Sequence, residues 1–164
     1  MLEIKPLSAL DRVSLSRIIT GYVTTEQYKI TYSESDANTT FALELVKLDK
    51  PTTIKYHHQD DDSEYQAILE QGLSLGAYVD DMLVGLALVD PQPWNNSLRV
   101  HEFHVMEGQR GTGIGRQLMN AVFEKGCAAN FRIVTCETQH TNVPAIRFYR
   151  RMGFKLEAID LSLY

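Results

Sequence analysis

Cysteine, tryptophan and proline are scarce in this chain, with two, one and five residues among 164. Two cysteines, Cys127 and Cys136, cannot build a disulfide framework. They form no CxxC and no His/Cys cluster at metal-ligand spacing, so no metal site is expected. Both lie in apolar sequence and are expected as buried, reduced thiols, because free cysteine behaves as a small hydrophobe. No stretch approaches the ~18 consecutive apolar residues of a transmembrane helix. The opening Met1-Leu2-Glu3-Ile4-Lys5-Pro6 lacks the positive region and long apolar run of a secretion signal, so the expected compartment is the cytoplasm. An excess of positive charge is missing too. The formal net charge is −5, which argues against binding to nucleic acid and mildly favours cationic partners.

Apolar residues are in ordinary supply, at 44%. A chain of this length is expected to form one domain, residues 1–164, and to bury roughly 70% of the surface its unfolded form exposes. The chain shows no internal repeat and no low-complexity linker. Leu2–Lys5 reads as a first strand. Ser8–Ile19 reads as a helix carrying Leu10, Val13, Leu15, Ile18 and Ile19, with Ser8 as its cap. In 22–55 the alternation of Phe41, Leu43 and Leu45 suggests a strand. Asp60, Asp61, Asp62 and Glu64 precede Tyr65, Ile68 and Leu69, as acids do at the positive end of a helix dipole. The same acids could instead form a rim that attracts substrate.

Strands are expected at Leu73–Val79 and Met82–Val89 around Asp80-Asp81, at Ser97–Val105 and at Phe131–Cys136. Helices are expected at Ile114–Lys125 and Pro144–Met152, with strand-like sequence from Phe154 on. Strands followed by strand–helix–strand–helix–strand predict an α+β fold: a central mixed, mostly antiparallel sheet flanked by helices on both faces.

The most informative segment runs from Phe103 to Arg116, where a strand enters a glycine-rich turn and the turn enters an amphipathic helix. The first N–H groups of a helix lack internal partners and, with the dipole, attract phosphate. Glycine lets an anion approach the backbone, and Arg110 and Arg116 would add positive charge. The pattern is neither a Walker A motif nor a good dinucleotide fingerprint. On its own it fits a phosphate loop and a tight structural turn equally well. A second segment, Asn142 to Phe154, is a punctuated helix. Asn142 can cap it, Pro144 sits in its first turn, and Ala145, Phe148, Tyr149 and Met152 follow the helical stripe. Gly153 is placed to end it. By pattern alone Tyr149 fits the core of the protein better than a catalytic role.

The two segments together resemble the GNAT (Gcn5-related N-acetyltransferase) superfamily. Arg110-Gly111-Thr112-Gly113-Ile114-Gly115 matches its R/Q-x-x-G-x-G/A signature. Asn142, Ala145, Phe148, Tyr149, Gly153 and Phe154 match its later N-x-x-A-x-x-F-Y-x-x-x-G-F segment. The likeness covers about residues 97–158. Within the superfamily, Cys136–Val143 and Ala158–Tyr164 resemble the streptothricin acetyltransferases.

The resemblance implies an enzyme that moves acetyl from acetyl-CoA to a primary amine without a metal. The backbone of Phe103 and Val105 would pair with the pantetheine arm, and the Val105 amide would hold the oxyanion. The N–H groups of Gly111, Thr112, Gly113, Ile114, Gly115 and Arg116 would hold the pyrophosphate. Asn142 would bond the cofactor near its pantetheine end, and Tyr149 would protonate the departing thiolate. Glu102 is the first candidate for the general base, with His101 and His104 beside it as alternatives. Glu102 could instead serve to neutralise a cationic substrate.

The expected acceptor is a small cationic amine, such as a streptothricin-like antibiotic. Rival readings are acetylation of a protein N-terminus or lysine, and a non-catalytic acyl-CoA sensor. Residues 22–60 and Trp94 would shape the acceptor's lid or groove. One departure from the family pattern concerns the end of the chain, where eleven residues after Gly153 leave little room for a final hairpin. Either the chain is trimmed, or a neighbouring subunit, as in a homodimer, covers the sheet edge.

Overall fold

The computed structural model describes residues 1–56 and 63–163. Asp60, Asp61 and Asp62, read as a helix start or an acidic rim, lie outside the described residues, as does Tyr164. The chain falls into two compact units, Met1–Thr20 with Tyr56–Glu137, and Gly21–Lys55 with Thr138–Tyr164.

The first unit is built on a five-stranded sheet: β1 (Leu2–Pro6), β4 (Leu75–Val79), β5 (Met82–Gln92), β6 (Ser97–Val105) and β7 (Ile133–Cys136), side by side in that order. Neighbours are antiparallel except β6 and β7, which are parallel and joined through helix α3 (Ile114–Ala128). This is the mixed, mostly antiparallel α+β sheet expected from the sequence. The β4–β5 connection is the two-residue Asp80-Asp81 turn. Both aspartates have positive φ, 48° and 64°, which suits the twist of a tight hairpin.

β5 is apolar nearly throughout because both of its faces are covered. On one face Leu86 and Leu88 pack with Leu15, Ile18 and Ile19 from α1 (Arg12–Ile18) and its C-cap, and with Ile68 and Leu69 of α2 (Ser63–Glu70). α3 runs across β1, β4, β5, β6 and β7 and buries Ile114, Leu118, Met119 and Val122. Its Gly126 lies against Leu98 and Val134, where a Cβ would already be in contact.

α1 begins four residues later than the apolar pattern suggests. Leu7 is still held strand-like, its N–H donating to the Ser74 carbonyl. The cap is therefore Asp11, not Ser8, with Oδ1 accepting from the Ser14 N–H at 2.9 Å. Val13 points outward, 73% exposed. Cys136 is half-buried, and burial pushes its thiol up to about 12. Cys127 is exposed, contrary to expectation, because it lies on the side of α3 opposite the sheet-facing stripe.

The second unit pairs a long hairpin, β2 (Gly21–Ser35) with β3 (Asn38–Lys55), with helix α4 (Val143–Arg151). The strand read at Phe41–Leu45 is thus part of an 18-residue strand, and its partner β2 was not expected from the sequence. One hairpin face carries Tyr28, Ile30, Tyr32, Phe41, Leu43 and Leu45, which sit opposite one another in register. The strand expected after Phe154 does not form among the described residues. Apolar alternation makes a strand only where a ladder partner exists. Here Leu156 and Leu161 are exposed, and Ser162 N–H turns back onto Asp160.

Candidate active site

β6 carries the first part of the site. β7 pairs with Ser97–Val100 and the ladder ends at Val100↔Cys136, while β6 continues for five more residues along β5. N–H groups alternate sides along a strand. Met106 donates to Val84 on β5 at 2.8 Å, so Val105 and Phe103 turn their N–H groups to the edge that β7 has left.

Past Val105 the chain makes a short 3₁₀ turn (Glu107–Gln109) and then the glycine loop. Gly111 and Gly113 have φ of 80° and 92°, a region that favours glycine. A Cβ on either would point into open space with nothing within 4 Å. The backbone there is exposed to whatever lies in front of the loop. The first helical bond is Gln117 N–H to Gly113 O at 3.2 Å, so the N–H groups of Ile114, Gly115 and Arg116 precede it. Ile114 itself is buried as the anchor of the helix, and Arg116 is exposed in its first turn. Thr112 Oγ1 donates back to the Gln109 carbonyl at 2.7 Å and closes the turn. Arg110 is folded back, with Nε donating to the Val105 carbonyl at 2.9 Å and Nη2 to Thr20 Oγ1 at 3.4 Å. It braces the strand-to-loop corner, and its charge lies there.

Glu102 sits in a cluster that alternation alone would not assemble. The β5–β6 register shifts between Leu88↔Glu102 and Val89↔Val100, leaving His101 as an extra residue. Such a bulge re-aims side chains. As a result His101, Glu102 and His104 all meet the same helix or each other. Glu102 Oε1 accepts from the Tyr65 hydroxyl of α2 at 2.8 Å. Its Oε2 is 2.6 Å from His104 Nε2. His101 Nε2 lies 3.7 Å from Glu64 of α2, its ring stands edge-on to Tyr65, and Arg99 Nη2 donates to its Nδ1 at 3.4 Å. Tyr56 makes an edge contact with the His104 ring, centroids 5.7 Å apart.

Burial pushes the Glu102 carboxyl up. The hydrogen bond and charge of His104, the Tyr65 hydroxyl and the charge of His101 outweigh it and hold Glu102 below the ordinary carboxylate range. Tyr65 was expected only as an apolar helix residue, and nothing in its spacing marks the hydroxyl's role. Among the described residues no group of three or more His, Cys, Asp or Glu is arranged to hold a metal.

The second unit carries the other two expected residues. Asn142 caps α4, its Oδ1 accepting from the Ala145 N–H at 3.2 Å. The helix ends in a Schellman motif. Phe154 N–H donates to the Tyr149 carbonyl, Gly153 N–H donates to the Arg150 carbonyl, and Gly153 has φ of 94°. The hydrophobic contact that accompanies this motif is Phe154 against Tyr149, ring centroids 5.4 Å apart, and Phe148 also meets the Tyr149 ring at 5.5 Å. Tyr149 is half-buried. β2 supports this region. Tyr28 N–H donates to His140 O, Tyr22 Oη meets Gln139 and Thr141, and the Tyr28 hydroxyl accepts from Arg150 Nη1 at 2.6 Å. Neither Tyr22 nor Tyr28 was singled out from the sequence, because no local pattern links them to residues more than 110 positions away.

Comparison with known proteins agrees with the motifs. The family model described as acetyltransferase (GNAT) family matches residues 42–154. The streptothricin acetyltransferase of Streptomyces lavendulae is 38% identical over 85 residues, 52% of this chain and 45% of that protein. The matches span 45% to 62% of the length of the curated streptothricin acetyltransferases. Among solved structures, a nourseothricin acetyltransferase superposes with a TM-score of 0.76 at 27% identity, over 99% of this chain and 88% of the other. A Bacillus anthracis str. Ames protein solved with acetyl coenzyme A superposes with a TM-score of 0.74 at 20% identity, over 100% and 90%. The latter shows a shared fold. With the glycine loop, the parted strands and the family model in agreement over more than half of its length, this chain belongs to the acetyltransferase (GNAT) family.

Proposed function

We propose that this protein transfers the acetyl group of acetyl-CoA to a primary amine of a small cationic molecule, with a streptothricin-like antibiotic as the first candidate. The observation that carries the reading lies within one unit. A helix N-terminus behind a glycine loop, open where a Cβ would stand, follows directly on the strand that holds a largely buried carboxylate–imidazole cluster. The loop suits a pyrophosphate: N–H groups and the positive end of α3 converge there. The cluster suits an ammonium, because Glu102 is held charged at neutral pH.

In this proposal the N–H groups of Gly111–Arg116 hold the pyrophosphate, and the edge of β6 at Phe103 and Val105 pairs with the pantetheine arm. The amine nitrogen attacks the thioester carbonyl while the Val105 amide stabilises the developing oxyanion. A nitrogen–carbon bond forms and the carbon–sulfur bond breaks. By its match to the family motif, Tyr149 is assigned the proton that goes to sulfur, and Asn142 a contact to the cofactor. The amine passes its proton to the Glu102 cluster. Residues 1–164 act as one domain, in the cytoplasm. The similarity to streptothricin and nourseothricin acetyltransferases and the acidic balance support the choice of acceptor.

The test is thiol release from acetyl-CoA with streptothricin, spermidine, an aminoglycoside and a lysine peptide. Streptothricin should be acetylated best, with a KM that rises with ionic strength as screening shortens from ~10 Å at 0.1 M to ~3 Å at 1 M. A wide margin for the peptide would make this a protein acetyltransferase. No turnover with any of the four would remove the antibiotic assignment.

A further inference from the structure

We infer that His104, through its Nδ1 atom, is the group that takes the proton from the acceptor amine, and that Glu102 and Tyr65 act as residues that position it. The inference rests on the acetyltransferase reading and deepens it. Hydrogen-bond bookkeeping within the cluster carries it. An ionised carboxylate can only accept hydrogen bonds. Glu102 uses Oε1 to accept from Tyr65 at 2.8 Å and Oε2 to meet His104 Nε2 at 2.6 Å. When the His104 imidazole is neutral, its hydrogen therefore sits on Nε2, which leaves the lone pair on Nδ1. Among the described residues, Nδ1 makes no hydrogen bond. The carboxylate fixes the tautomer and compensates the charge that appears when Nδ1 is protonated, and the edge of Tyr56 limits rotation of the ring.

The other two candidates are less suited. Both oxygens of Glu102 are committed, and the same bonds hold it below the usual carboxylate range, which makes it a weak proton acceptor. His101 has Nδ1 occupied by Arg99, which can only donate, so its lone pair faces a guanidinium. The groups around His104 are Glu102 on its own strand, Tyr56, Tyr65 reaching Glu102 from α2, and His101 with Arg99 and Glu64 beyond it. His104 keeps 13% of its side chain exposed, against 25% for Glu102.

The chemistry balances. His104 removes one proton from the ammonium before attack and returns it to solvent after turnover. The second N–H proton lost as the amide forms balances the one that sulfur acquires.

The experiment compares kcat and acetyl-CoA affinity for wild type, His104→Ala, His104→Gln, Glu102→Gln and Tyr65→Phe, with an amine that wild type acetylates. Wild-type turnover tests the acetyltransferase reading, and the variants test the assignment of the base. His104→Ala should keep its acetyl-CoA affinity, lose about 10²–10⁴-fold in kcat, and recover part of it when free imidazole is added. The loss should narrow as pH rises toward ~10.4, where a lysine-like amine is already unprotonated. His104→Gln keeps a donor toward Glu102 and so guards against a folding defect. It should be as slow as the Ala variant, and imidazole should not rescue it. Glu102→Gln should lose less than either, and Tyr65→Phe least. If the His104 variants turn over like wild type while Glu102→Gln is nearly dead, or if imidazole leaves His104→Ala unchanged, the assignment is overturned.

Discussion

α3 and α4 carry the two motif segments of this chain, and they are held in place by different forces. α3 is 15 residues long and buries Ile114, Leu118, Met119, Val122 and Gly126. Its glycine loop is anchored by apolar burial, which is non-directional and little affected by salt. α4 is nine residues long, and its fully buried residue is Val143. It is held at its ends by the Asn142 cap and the Schellman motif. From the side it is held by the 2.6 Å contacts of Arg150 with Tyr28 and of Arg147 with Glu26. Directional contacts of this kind orient a helix well but contribute little energy each. If the loop holds a phosphate as proposed, several N–H groups share the load and small shifts are tolerated; a single tyrosine hydroxyl assigned a proton transfer would tolerate less, and its helix is held by orienting contacts.

The most drastic way to break the comparison is at the loop. Gly113→Glu should abolish acetyl-CoA binding, since it puts a side chain and a negative charge where the phosphate would lie, at a φ of 92°. Unchanged affinity by calorimetry would remove the phosphate-loop assignment. Next in size, Tyr149→Phe should keep cofactor affinity and lose about 10²–10⁴-fold in rate. Full activity would make Tyr149 a packing residue of the Phe148–Phe154 cluster.

The two anchoring mechanisms can be compared by stability. Leu118→Ala should cost about 2–5 kcal/mol, as large-to-small changes in a packed core do. Arg147→Gln breaks a pair whose arginine is half exposed, and it should cost about 0.2–1 kcal/mol, less in high salt. Urea unfolding of both variants measures this, and equal losses would erase the distinction.

The smallest effect expected is a tilt in the pH dependence of stability. Glu102 titrates in the folded state below its ordinary value of 4.5, because His104, Tyr65 and His101 outweigh its burial. Its charge therefore adds stability that is present above the unfolded value and is lost as pH falls through the folded one. The stability deficit of Glu102→Gln should be largest at neutral pH and shrink as pH falls from 7 to 3. A constant deficit would mean that the carboxylate's charge is not what the cluster stabilises.

Much of the sheet was legible in the sequence, and the reasons are local. Ser97–Val105 could be read to the residue, because it is bounded by turn residues at one end and the glycine loop at the other. The Asp80-Asp81 turn and the caps of α4 follow from side-chain chemistry within four residues. β2 escaped detection because Gly21–Ser35 is mostly polar on one face, and its apolar face is incomplete without β3. The tail after Phe154 misled in the opposite direction, because its apolar alternation has no ladder to join.

By itself the sequence determined the five-stranded sheet's strands, helices α3 and α4, the position of the glycine loop and the family, because these depend on contacts between near neighbours and on motif spacing. Tertiary structure decided which ionisable groups share a hydrogen bond. A bulge that inserts His101 opposite β5 is invisible to alternation, and it brings His101 and Glu102 to α2 and Glu102 to His104. Tyr65 reaches Glu102 from 37 residues away in the chain. Proton chemistry depends on heavy-atom separations of about 3 Å. Only packing of distant segments sets distances that short, so His101, Glu102 and His104 could be named from the sequence and their hydrogen-bond partners could not.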